Sequence, residues 1–351
     1  MSAELIRSFL LDGQVIPACP LALHSDGAWS EQHQRALVRY YFASKAGGLA
    51  VGVHSTQFEI RDPAHGLYEP ILSLVAEEID RLSDASDHVM VKIAGICGDT
   101  GQALAEAETA LGLNYHAGLL SMTAVSSRSD EEVLEHCRAV AEAIPIVGFY
   151  LQPAVGGRVF PYAFWRAFAE IPNVVAIKMA PFNRYQTWDV VRAVIDAGRE
   201  DIALYTGNDD NIVADLITPF SYRGPNGQVT RRIVGGLLGQ WGVWTSRAVQ
   251  VLERIKREGD APCVDRAWLD YNVNLTDANA AIFDAANGFA GCIPGIMEVL
   301  RRQRLLPSIR CLNPAETLSP GQAGEIDRVI RAYPNLHDNR FVEENIDAWL
   351  T

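Results

Sequence analysis

Lys178 is the residue of this chain with the clearest capacity for covalent chemistry. It stands near the end of Asn173-Val-Val-Ala-Ile-Lys178-Met-Ala-Pro181, a short, β-branched apolar run that reads as a buried strand. A lysine placed there loses hydration, which disfavours the ammonium and supplies a neutral amine near pH 7. Such an amine forms Schiff bases with carbonyl compounds. Lysine is also scarce, since Lys45, Lys92, Lys178 and Lys256 are the only lysines among 30 basic residues. Lys92, in Val89-Met-Val-Lys92-Ile-Ala-Gly95, is the rival buried lysine. It falls nearer the middle of its run, where a buried ion pair is the expected role.

The elements that must position Lys178 alternate regularly. Short β-like runs are expected at 14–23, 48–55, 88–97, 117–123, 145–152, 174–180, 202–207 and 234–244. Helical patterns follow them, at 30–46, 69–85, 100–111, 130–144, 162–171, 185–197, 211–217 and 246–257. Eight such units favour parallel strands with crossover helices, closed into a (β/α)8 barrel. No GxGxxG follows the first strand, which weakens a dinucleotide-binding alternative. The segment 218–232, with Gly224-Pro225-Asn226-Gly227, reads as a surface excursion before the last strand. From about Pro262 the pattern becomes helical without strands, with main helices at 268–286, 294–303 and 319–332. The expected organisation is an α/β protein with a catalytic barrel over 1–260 and an all-helical subdomain over 261–351.

Bulk properties narrow the function classes. A formal net charge of −13 argues against a nucleic-acid partner. The six cysteines are widely spaced and form no metal pattern, as expected of reduced thiols in a cytoplasmic protein. The first residues lack a signal-peptide core, and no apolar run is long enough to span a membrane. No pair of carboxylates with histidine stands at metal-ligand spacing, so neither a metal nor a cofactor is expected.

In a barrel the chemistry belongs at the C-terminal ends of the strands. Those ends carry Gly52-Val-His54-Ser55-Thr56-Gln57, Ser121-Met-Thr123, Phe149-Tyr150-Leu-Gln-Pro153, Lys178, Thr206-Gly-Asn208-Asp209-Asp210 and Gly239-Gln240-Trp241. Tyr150 with Pro153 three residues on, and Ile177-Lys178 after a further β/α unit, resembles the dihydrodipicolinate synthase / N-acetylneuraminate lyase superfamily. These are class I, Schiff-base-forming (β/α)8 aldolases and lyases. The resemblance extends to Ala46-Gly-Gly-Leu-Ala-Val-Gly52 entering the second strand and to the helical C-terminal region.

The resemblance implies that Lys178 forms an imine with the 2-oxo group of a pyruvate-like substrate and that Tyr150 shuttles protons. It implies that the turn Val53-His54-Ser55-Thr56-Gln57 replaces the family's Gly-Thr-Thr-Gly-Glu, with Ser55 holding the carboxylate beside Thr56. His54 stands where the family has a relay threonine, and is expected to assist as an acid/base group. Ser126 and Gln240 are expected in the pocket for the second reactant, with Val125 and Val155. Asn208, Asp209 and Asp210 either bind substrate hydroxyls or cap the helix beginning near Asn211. The synthase-type tyrosine after the fourth strand is missing from Thr123-Ala-Val-Ser-Ser127. So is an arginine directly after Pro153, where Ala154-Val-Gly-Gly157 precedes Arg158. Dihydrodipicolinate synthase itself is therefore not expected.

The expected activity is a lyase or aldolase acting on pyruvate or a related 2-oxo acid through a lysine imine. The alternatives are a hydro-lyase of a deoxy sugar acid on the same imine chemistry, and a non-catalytic 2-oxo-acid-binding barrel. Analogy with relatives adds a homo-oligomer, dimer or tetramer, with no nucleic-acid or membrane partner.

Overall fold

The structure is a computed structural model describing residues 2–351 apart from Pro225, Asn226, Asp260 and Pro262. The Pro225-Asn226 tip of the expected excursion, and Asp260 at the expected domain boundary, lie outside the described residues.

The strands are β1 (Val15–Pro17), β2 (Gly48–Val51), β3 (Val91–Ile96), β4 (Ala117–Leu120), β5 (Ile146–Leu151), β6 (Val174–Ala180), β7 (Ala203–Thr206), β8 (Phe220–Gly224), β9 (Gly227–Arg231) and β10 (Gly235–Leu238). The helices are α1 (Ala3–Leu11), α2 (Glu31–Ala43), α3 (Tyr68–Asp84), α4 (Thr100–Gly112), α5 (Asp130–Ala143), α6 (Tyr162–Phe168) and α7 (Arg184–Asp196). They continue as α8 (Ile212–Ile217), α9 (Thr245–Glu258), α10 (Ala267–Ile282), α11 (Cys292–Arg302), α12 (Gln322–Ala332) and α13 (Asn339–Trp349). Eight strands form one sheet in the order β1-β10-β7-β6-β5-β4-β3-β2, and a parallel bridge between Ala18 and Ala50 links its two ends. With helices alternating between the strands, this is the (β/α)8 barrel, followed by further helices.

The chain divides into two compact units. The first comprises Met1–Gln14 with Val91–Leu237. Its strands β3 to β7 are buried along nearly their whole length, as the continuous apolar runs require of a parallel sheet covered on both faces. Helix α1 is not anticipated by the strand–helix alternation. Ser2 caps it, and the Leu10 carbonyl accepts from the Tyr205 hydroxyl at 2.8 Å, tying it to β7. The expected irregular excursion is instead an antiparallel hairpin of β8 and β9, whose Phe220 stacks on Trp188 of α7 at 5.9 Å. Alternating aromatic and β-branched residues suit that ladder.

The second unit comprises Val15–Met90 with Leu238–Thr351. Here the Cys19 amide donates to the Ala50 carbonyl at 2.8 Å, joining the ends of β1 and β2. Helix α13 packs on α2, where Arg39 donates to the Trp349 carbonyl at 2.7 Å and Tyr40 donates to Asp338 at 2.8 Å. Helices α10 to α13 thus fall in one compact unit with β1, β2, α2 and α3.

Candidate active site

Strand β6 brings Lys178 into a buried, weakly compensated setting. The side chain is 9% exposed. Its Nζ lies 4.2 Å from the centroid of the Phe149 ring on β5, and Phe149 is its register partner. On β7 the partner is Tyr205, and two residues on comes Gly207. A Cβ at Gly207 would stand 2.8 Å from Lys178 Cε and 2.8 Å from Ala180 Cβ, so the missing side chain makes room for the lysine stem. Burial lowers the Lys178 pKa to about 8, and the charge of Asp209 opposes that shift. At pH 7 roughly a tenth of the amine is therefore unprotonated and nucleophilic, far more than for an ordinary lysine.

Tyr150 is on the other face of the sheet. Its register partner is Met179, and successive residues of a strand point to opposite sides. The ring sits 4.9 Å from Trp165 of α6, the hydroxyl reaches the Phe160 carbonyl at 3.4 Å, and the residue is 0% exposed. Burial pushes the phenol up to about 12. Gly148 supports the same orientation, because a Cβ there would meet Phe168 of α6. The cause is a bulge. Ile146 pairs with Val174, but Val147 pairs with Ala176, so the offset between the strands grows from 28 to 29. At the first offset Tyr150 would oppose Lys178; at the second, Phe149 does. The register thus sets Phe149, rather than Tyr150, opposite Lys178.

Asn208 is bound internally. Its Oδ1 accepts from the Phe182 amide at 2.9 Å, and its Nδ2 donates to Asp215 Oδ2 at 3.0 Å. Asp215 also accepts from the Thr206 hydroxyl at 2.6 Å and pairs with Arg184. This network fixes the turn leaving β7, and with it Gly207 and Asp209. Both ends of the Asn208 amide are therefore engaged within the fold. Asn211 occupies the N-cap of α8 without a capping hydrogen bond from its side chain. Ser126 ends a short turn after β4, and its carbonyl accepts from Arg158 at 3.0 Å. Arg158 also donates to the Arg128 carbonyl at 2.6 Å and pairs with Asp130, so it staples two loops of this unit.

The second unit holds His54, Ser55, Thr56 and Gln240. The Thr56 hydroxyl donates to the Cys19 carbonyl at 2.7 Å and accepts from the Gly52 amide at 3.0 Å. The Ser55 hydroxyl reaches the same carbonyl at 3.4 Å. Both hydroxyls are buried and stitch the turn after β2 to the end of β1. His54 is exposed and tilts against Phe58 at 6.0 Å. Gln240 is buried at the start of a short turn after β10. Cys19 is buried beside Gln34, and burial pushes its thiol up to about 12, away from the thiolate a nucleophile needs. Among the described residues, no group of three or more His, Cys, Asp or Glu is placed to hold a metal ion.

No protein-family model matches the chain, and no curated protein does. Solved structures do match. A prophage protein of the dihydrodipicolinic acid synthase family from E. coli K12, in complex with pyruvate, gives a TM-score of 0.72 at 15% identity over 92% of this chain and 98% of that one. Dihydrodipicolinate synthase from Agrobacterium tumefaciens str. C58 gives 0.71 at 16% identity over 93% and 99%. CdNal from Clostridium difficile, in complex with mannosamine, gives 0.70 at 14% identity over 92% and 99%. The chain has the fold of the dihydrodipicolinate synthase and N-acetylneuraminate lyase structures.

Within that fold, Phe149 is the neighbour of the amine, a placement the sequence does not mark. Gly207 falls at a strand end, where the lysine stem requires a glycine. The signal for Gly207 was available, since a glycine one residue past a strand beside a lysine strand marks a close approach. For Phe149 there was none, because a bulge leaves no mark in Val174-Val175. Lys92 on β3 is 2% exposed, so burial alone does not separate the two strand lysines.

Proposed function

We propose that this protein is a Schiff-base-forming lyase acting on a small 2-oxo acid of the pyruvate type, with Lys178 as the nucleophile. The carrying observation is the buried Lys178 amine, lowered to about 8, its stem packed against the place where Gly207 carries no side chain. The shared fold with a pyruvate-bound structure supports the substrate class.

In this reading the neutral amine attacks the 2-oxo carbon. The carbinolamine oxygen takes up a proton and leaves as water, giving the protonated imine. In a 2-oxo acid extended by a 4-hydroxyl, that cation draws in the electron pair of the bond between the third and fourth carbons; the bond breaks as the 4-hydroxyl gives its proton to water, releasing an aldehyde and leaving an enamine. Protonation of the enamine and hydrolysis return the 2-oxo acid and the amine. Tyr150 is assigned no role, because its hydroxyl is engaged on the far face of β5. Arg158 is likewise not a carboxylate clamp, being held by Ser126, Arg128 and Asp130.

Borohydride reduction in the presence of pyruvate and a panel of 2-oxo acids tests the reading. Peptide mass spectrometry should find the reduced adduct on Lys178. Lys178→Ala should abolish it while Lys92→Ala should not. Absence of any adduct across the panel, or an adduct on Lys92, rejects the reading.

A further inference from the structure

We propose that Phe149 is the positioning residue of the Lys178 amine, its ring face holding the ammonium form and so setting how much neutral amine is available near neutral pH. The inference deepens the Schiff-base reading and rests on it for its functional meaning.

Three observations carry it. Phe149 and Lys178 are register partners on adjacent parallel strands, which keeps their side chains on one face. The Nζ lies 4.2 Å from the ring centroid, within cation–π range. Both side chains are buried, where such a contact is strongest. β7 presents Tyr205, whose phenol is held protonated by burial and donates to the Leu10 carbonyl. Gly207 presents no side chain, and the turn beyond it carries Asp209. Phe149 and Asp209 therefore both favour the ammonium, against a burial penalty that favours the neutral amine.

The two are separable chemically. An aromatic ring stabilises a cation through its quadrupole, and fluorination removes that attraction with little change of shape. A phenylalanine at this place also offers no hydroxyl, so the protons of an imine on Lys178 are not carried by a β5 phenol.

Competitive reductive methylation with formaldehyde and cyanoborohydride, read at Lys178 by peptide mass spectrometry across neutral to alkaline pH, measures the amine directly and needs no substrate. The parent protein should give a midpoint of about 8. Phe149→Leu keeps the site apolar but lacks a ring, and should lower that midpoint by about one pH unit. Incorporation of 3,4,5-trifluorophenylalanine at position 149 should lower it similarly, and serves if the leucine variant does not fold. Phe149→Tyr keeps the ring face and should leave the midpoint near the parent value. An unmoved midpoint in the leucine and fluorinated proteins, or a tyrosine variant that shifts as far as leucine, overturns the proposal. Because this labelling uses no 2-oxo acid, its failure is distinct from a failure of pyruvate trapping, which bears on the lyase reading alone.

Discussion

Two buried charges in this protein are handled in opposite ways. Glu78 on α3 has a side chain only 1% exposed, and three arginines meet it: Arg39 at 2.7 Å, Arg35 at 3.0 Å and Arg81 at 2.5 Å. Burial pulls its pKa up, but the hydrogen bonds from Arg81, Arg39 and Arg35 outweigh burial and hold it down to about 2. Lys178 is nearly as buried, yet it is met by a ring face and the charge of Asp209, and burial wins. Burial by itself does not make a reactive group. Incomplete compensation does, because only then is the neutral form brought within reach of physiological pH. One charge holds two helices together; the other is kept at a cost to stability that chemistry can use.

The largest expected effect that would break this contrast is at Glu78. Glu78→Gln leaves three arginines facing a neutral amide and should destabilise the protein by about 3–5 kcal/mol in urea denaturation. A loss under about 1 kcal/mol would mean the cluster is solvated surface, as ordinary exposed pairs are.

Lys178→Met should move stability the other way. A folded pKa of about 8 against an ordinary 10.5 means the fold disfavours the ammonium, so removing it should add about 3 kcal/mol at neutral pH while abolishing covalent trapping. A variant that loses trapping without gaining stability would show that the amine is better compensated than burial implies.

The pH windows sharpen the same point. The cost of Lys178 is full below about pH 8 and fades as pH rises toward 10.5, so the parent protein and Lys178→Met should converge in stability across that interval. The contribution of Glu78 is full above pH 4.5 and is lost as pH falls toward 2, so the parent and Glu78→Gln should converge there instead. Convergence of either pair at the opposite end of the scale would reverse the assignment.

The smallest expected effect is at Gly207. Gly207→Ala places a Cβ 2.8 Å from Lys178 Cε and from Ala180 Cβ. It should cost about 1 kcal/mol of stability by overpacking and slow adduct formation by roughly tenfold through displacement of the amine. A variant with parental trapping kinetics would show that the lysine stem has slack.

Much of the architecture is legible in the sequence. Apolar runs such as Val174–Ala180, alternating with amphipathic helices opened by residues such as Ser129, leave a parallel (β/α) sheet as the arrangement that buries both faces of every strand. The hairpin of β8 and β9 and helix α1 are not legible in that alternation. The first needs the pairing of two short segments, and the second is held in place by β7 through Tyr205. At the site, the lysine declares itself by type and context, whereas Asn208 looks available in the sequence and is engaged by Asp215 and the Phe182 amide in the fold.

The sequence by itself determined that a lysine would stand in a buried strand, and desolvation follows from that wherever the strand packs. Only the tertiary structure decided what faces it. A side chain's face depends on the parity of strand pairing, and one extra residue in the ladder between Ile146 and Val147 reverses that parity for everything beyond it. The spacing from Tyr150 to Lys178 is a property of the chain; that Phe149 meets the amine instead is a property of the hydrogen bonds between two strands.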